Sequence, residues 1–126
     1  GAAYIFTRSG TTWTEQQKIQ ASDKQAYDRF GCAVALSGNG NTAIAGAPIS
    51  ADGLGGGSEA GAAYVFSRSG TTWSEQNKIE ASDKQADDEY GTSVAVAGQS
   101  YAIVGAWFED TGGSKSGAAY IYKYIT

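Results

Sequence analysis

The 126-residue chain has no methionine and no histidine, one cysteine, one proline, and only two leucines, Leu36 and Leu54. Without histidine there is no Ser–His or Cys–His couple, and a lone cysteine builds no zinc-type ligand set. Catalysis by the usual constellations is therefore not expected. Cys32 forms no intrachain disulfide, and sixty residues on its counterpart is Thr92; a small buried residue is the expectation. No run of 18 apolar residues is present, so no helix of this sequence spans a bilayer. No leader pattern is visible, and a chain opening on Gly1 in mid-repeat looks like an excised or processed piece. Nine Lys and Arg, scattered against 13 Asp and Glu, leave a net charge of −4. That balance excludes the basic stripe that a nucleic-acid backbone demands.

What the chain has instead is repetition. Residues 1–31 and 61–91 agree at 23 of 31 positions, and the opening words return as Gly117-Ala118-Ala119-Tyr120-Ile121-Tyr122. A period of this length, rich in Tyr, Trp, Phe, Val, Ile and Thr and punctuated by 18 glycines, marks stacked units of β-structure that cannot bury their faces alone. The units run 1–60 and 61–116, with a third, partial one at 117–126.

Within the first unit, strands are predicted at Ala2–Thr7, Thr12–Gln20, Cys32–Ser37 and Thr42–Ala47. Arg8–Thr11 and Gly38–Asn41 supply turn chemistry, and Ala21–Arg29 is a polar loop. The second unit repeats these strands as Ala62–Ser67, Thr72–Glu80, Thr92–Ala97 and Ser100–Gly105. Ala and Gly dominate the Cys32–Ala47 and Thr92–Ala106 hairpins, while Tyr, Phe and Trp populate the other strands. Small residues suit strands crowded near an axis, and large ones fill the space where sheets splay apart. The fold class is therefore all-β, a β-propeller of four-stranded antiparallel blades.

Phe30-Gly31, followed by Gly46-Ala47-Pro48 and then Gly61-Ala62-Ala63-Tyr64-Val65-Phe66, resembles an FG-GAP repeat. This is the blade unit of integrin α-subunit propellers and of many bacterial and phage-associated surface proteins. Tyr90-Gly91, Gly105-Ala106-Trp107 and Gly117–Tyr122 repeat the pattern. The resemblance implies blades in which the FG-to-GAP hairpin is strands one and two, the GAAY run strand three, and the Trp-bearing run strand four. It also implies an extracellular or surface setting. Many such repeats hold calcium between strands one and two. Here Ser37–Asn41 and Ala97–Ser100 contain no carboxylate, so neither metal nor other cofactor is expected. Trp107 stands in place of the motif's proline.

In blade order the chain supplies strands three-four, one-two-three-four and one-two-three, or about two blades. Two blades leave open edges and apolar faces, which drive association. The expected partner is the chain itself. Three copies make a closed six-bladed homotrimer with strand exchange, favoured over a tetramer of eight blades or a fragment of a longer propeller. Gly1–Thr7 and Gly117–Thr126 duplicate one slot: one run frays, one displaces the other, or the blade takes five strands, and the sequence does not choose among these.

Other candidate sites are weaker. Asp23/Asp83 and Asp28/Asp88 recur, which suits loop capping. Trp13 and Trp73 recur and are expected to pack on outer strands. Gly53–Gly57 lacks the Gly-Lys-Ser/Thr ending of a phosphate loop. Trp107, Phe108, Glu109 and Asp110 break the repetition and lie on a loop, so they lead as ligand-binding residues. The function expected is a non-enzymatic scaffold or interaction module taking a protein ligand. The alternative is a lectin-like propeller that stacks a glycan on exposed aromatics between blades.

Overall fold

The computed structural model describes residues 1–24, 28–48, 60–82, 88–98, 100–107 and 116–123. The strands are β1 (Ala3–Ser9), β2 (Thr12–Ile19), β3 (Ala33–Leu36), β4 (Thr42–Ala47), β5 (Ala62–Ser69), β6 (Thr72–Ile79), β7 (Ser93–Ala97), β8 (Tyr101–Ala106) and β9 (Ala118–Lys123). They form three antiparallel sheets ordered β1-β2, β3-β4-β5-β6 and β7-β8-β9. This is the division expected of blades: an outer pair, a full set of four, and a set lacking its outer strand. No described residue is helical.

The repeat extends to register. β1–β2 and β5–β6 both slip at the same place, between Ile5 and Phe6 and between Val65 and Phe66. β1 and β5 run two residues further than expected. Arg8 pairs with Trp13 and Ser9 with Thr12, leaving only Gly10 and Thr11 to turn the chain.

β4, Thr-Ala-Ile-Ala-Gly-Ala, is buried along its whole length. It lies between β3 and β5 with a neighbouring sheet on each face, a position only small side chains and one isoleucine allow. The first core, between the first and second sheets, contains Ile5, Ile19, Phe30, Tyr64, Phe66 and Trp73. The Phe30 ring meets Tyr64 and Phe66 edge-on at 5.5 and 6.0 Å. The second core, between the second and third sheets, is built on Ile44, Tyr90 and Val104. There Tyr90 meets Tyr120 edge-on at 5.5 Å. Its hydroxyl donates to the Tyr122 hydroxyl at 2.6 Å, which in turn donates to the Glu80 carbonyl at 3.2 Å. Burial first, then the bond to Tyr122, pushes the Tyr90 phenol far above its ordinary pKa, so it stays a donor at any working pH.

Successive sheets meet backbone to backbone at glycines. Tyr90 donates its N–H to the Ala60 carbonyl at 2.9 Å and bridges Gly61; within the third sheet itself, Gly91 donates to Gly105 at 2.9 Å. A Cβ on Gly46 would overlap the Gly91 carbonyl, and one on Gly61 would overlap that of Tyr90. The Phe/Tyr-Gly and Gly-Ala words of the repeat are therefore the two halves of one inter-sheet contact.

Cys32 is exposed rather than buried. It shares the face of β3 that carries Val34 and Leu36, both also exposed. That face looks toward the first sheet, where, among the described residues, only the outer strands β1 and β2 are present and none covers it.

Gly46→Ala is expected to lower stability by about 1–3 kcal/mol, the scale of an overpacked site whose neighbour is rigid backbone. Gly38→Ala, which meets open space at ordinary φ, should stay within about 0.5 kcal/mol of the parent. Urea midpoints of the two variants test this, and equal midpoints would refute the close-approach account.

Candidate functional site

The gap between consecutive sheets is where this chain concentrates its specific polar chemistry. At the first gap β2 faces β6, and Trp73 is the residue held. Gln17 on β2 uses its side-chain amide as a backbone would: its Nε2 donates to the Trp73 carbonyl at 2.9 Å, and its Oε1 accepts the Trp73 N–H at 2.8 Å. Gln16 accepts the indole N–H at 2.7 Å. The indole is left only 5% exposed, in one cluster with Ile5, Ile19, Ala43 and Phe66. One turn of chain beyond β2, Ser22 donates its hydroxyl and its N–H to the Glu75 carboxylate at 2.8 and 3.1 Å.

Asp23 completes this seam. It accepts from the Tyr64 hydroxyl at 2.7 Å and pairs with the Lys78 ammonium at 2.6 Å. Lys78 in turn lies over the Tyr64 ring, 5.7 Å from its centroid. Partial burial raises the Asp23 pKa, but the bonds from Lys78 and Tyr64 outweigh it and hold the carboxyl below its ordinary value. Burial likewise lowers Lys78, and the bond from Asp23 reverses it to a net rise. Asp23 is thus a tie between sheets, in addition to the bond with its own backbone that suits the loop capping expected for it. Asp28 and Asp88 are buried, while Asp83 lies outside the described residues.

The second gap has the same walls and lacks the filling. A cavity of about 410 Å³ lies there, lined by Val65, Gln76, Asn77, Ile79, Ala102 and Tyr122 among others. These are the repeat counterparts of Ile5, Gln16, Gln17, Ile19, Ala43 and Phe66. Among the described residues the third sheet has no outer strand, and none of them stands where Trp73 stands in the first gap. Trp13, the counterpart of Trp73, is 65% exposed on the outer strand of the first sheet. Its expected packing role is realised only at Trp73, because no described strand lies on the other side of β1-β2.

The turn between β3 and β4 is closed by its own side chains. Asn39 Oδ1 accepts from the Ser37 hydroxyl at 2.7 Å and from the Asn41 N–H at 3.0 Å. The Arg68 guanidinium covers it, donating to the Gly40 carbonyl at 3.1 Å and to Asn41 Oδ1. A side-chain cation is therefore seated at the turn that carries calcium in other repeats of the resembled type.

Of the four leading ligand candidates, Trp107 follows β8 with its ring exposed and its indole N–H donated to the Glu89 carboxylate at 2.7 Å. Phe108, Glu109 and Asp110 lie outside the described residues. The pair Trp107 and Glu89 replaces Pro48 and Arg29 of the preceding repeat, so the break in repetition is a matched double change. The glutamines at 16, 17 and 76 were not singled out from the sequence. Their recurrence beside the tryptophan was visible, but the partner across the gap was not.

A family model for the FG-GAP repeat matches residues 13–66 and 73–122. No curated protein matches the chain.

Removing the Trp73 side chain is expected to cost about 3–5 kcal/mol, as for other buried aromatics. The Asp23–Lys78 tie is partly exposed, so Asp23→Asn should cost only about 0.2–1 kcal/mol at pH 7. Because the folded carboxyl titrates below its unfolded value, its contribution is present above the ordinary carboxylate range. It is lost as pH falls through the lowered folded value. The gap between parent and Asp23→Asn urea midpoints should therefore close in acid, and a gap that persists or widens there would contradict the tie.

Proposed function

The chain belongs to the FG-GAP repeat family, and on that premise we propose that it is a non-enzymatic β-propeller module whose copies join head to tail into a closed ring. One observation carries this reading. Inside the chain, Ile44 and Val65 on the second sheet pack against Val94 and Val96 on the third. Their counterparts at the two ends of the molecule are Ile103 and Ile121 on the third sheet and Val34 and Leu36 on the second, and all four are exposed. Ile103 is 41% exposed where Ile44 is 1%, and Ile121 is 72% exposed. The ends are thus the two sides of an interface the chain already makes once internally, which is the condition for heterologous association. Three copies give six blades and four give eight; we favour three.

Ring closure requires strand exchange, since β1 and β9 compete for the same third-strand position. The Tyr90 hydroxyl favours β9: its partner is the Tyr122 hydroxyl, and the residue in that place on β1 is Phe6. Seating β1 there would strand a buried hydroxyl, which costs about 1–3 kcal/mol. In the repeat that uses Phe30, the facing residue is Phe66.

A lectin-like role for Trp107, Phe108, Glu109 and Asp110 is the second reading. It is supported by the exposed Trp107 ring, held by its bond to Glu89 so that little freedom is lost when a sugar face stacks on it.

Light scattering on a sizing column across a dilution series should give a species near three times the 13.0 kDa chain. A single-chain mass at every concentration would end the ring proposal. A broad sugar panel should leave tryptophan fluorescence unchanged. A saturable quench that disappears in Trp107→Ala would favour the lectin instead.

A further inference from the structure

We infer that the cavity between the second and third sheets is the seat of Trp13 from a second copy of this chain, with its indole N–H donated to Gln76 Oε1. This rests on the head-to-tail reading and gives it a specific lock. The first gap is the template, because its indole acceptor and its apolar walls recur in the second without the tryptophan. Trp73 lies among Ile5, Ile19, Ala43 and Phe66, with its indole N–H on Gln16. The cavity offers Val65, Ile79, Ala102 and Tyr122, with Gln76 at the same point of β6. Gln76 has only a long contact of 3.4 Å to the Ser74 carbonyl of its own strand, so its amide is easily redirected.

The occupant is a second copy because the chain carries the missing piece at its other end. β2 has the sequence and register of β6, and its Trp13 is the one outer-strand tryptophan that the described fold leaves exposed. Placed beside β9 as β6 lies beside β5, β2 of a second copy presents Trp13 to the cavity. It also brings Glu15 to Ser82, repeating the Glu75–Ser22 contact. One element departs from the template. Asn77 is a methylene shorter than Gln17, so the two-bond grip on the tryptophan backbone is not carried over, and the indole bond and apolar burial hold the seat.

A small ligand in the same cavity is a competing occupant, and solution mass separates the two. The full chain is compared with Trp13→Ala and Gln76→Ala across a dilution series. Trp13 is mostly exposed in the single chain, so Trp13→Ala should fold normally, with the far-UV spectrum and melting of the parent at high dilution. Its association should weaken about 30-fold or more, the scale of a buried aromatic hot spot. Gln76→Ala should weaken it roughly tenfold, as expected for one hydrogen bond. An assembled parent with Trp13→Ala assembling equally well would overturn the lock and leave head-to-tail association standing. A parent that stays single at all concentrations would overturn the association itself.

Discussion

The architecture depends on how closely one sheet can approach the next. At Gly46 and Gly61 a carbonyl from Tyr90-Gly91, on the approach to the next sheet, occupies the space a Cβ would need. Within each sheet, Gly31 and Gly91 donate to Gly46 and Gly105 at 3.0 and 2.9 Å, extending the β3–β4 and β7–β8 pairings up to that line of approach. The inner strands are thereby pinned together and small residues are required beside them, as in β4. Outward from that line the sheets diverge, and the space between them must be filled by progressively larger groups. Alanines and isoleucine give way to the Phe and Tyr rings, and at the rim to an indole gripped by two glutamines.

The same constraint explains why the ends of the chain differ from its middle. Each internal contact has a donor side and an acceptor side, and the chain presents one unmatched copy of each. Gly105 holds the position of Gly46, yet no backbone of a following sheet approaches it; its nearest neighbour is the Ser93 side chain. Val34 and Leu36 lack the cover that Val94 and Val96 have, and Trp13 lacks the pocket that Trp73 fills. An apolar surface of this kind has a large incentive to be covered.

Much of the strand plan was legible from residues alone. Sheet membership followed from turn residues and the sixty-residue repeat, because in antiparallel meanders sequence neighbours are spatial neighbours. Strand ends were less legible. Arg8 and Ser9 have turn-like chemistry but lie in the β1–β2 ladder, because the two-residue turn at Gly10 does not need them. The exposure of Cys32 departs from the sequence pattern for a different reason. Alternation along β3 predicts two faces, but whether a face is covered depends on which strands the neighbouring sheet contains.

Sequence by itself determined the all-β class, the strand order within each sheet and the family, since these depend on local periodicity and on words repeated along one chain. The tertiary structure decided what faces what. It showed that Gln16 and Gln17 reach Trp73, that Asp23 ties Lys78 and Tyr64 of the next sheet, and that the equivalent gap one repeat later is a cavity. Those relations join residues more than forty positions apart, across a gap whose width is set by backbone contact at the glycines. No local pattern carries that distance.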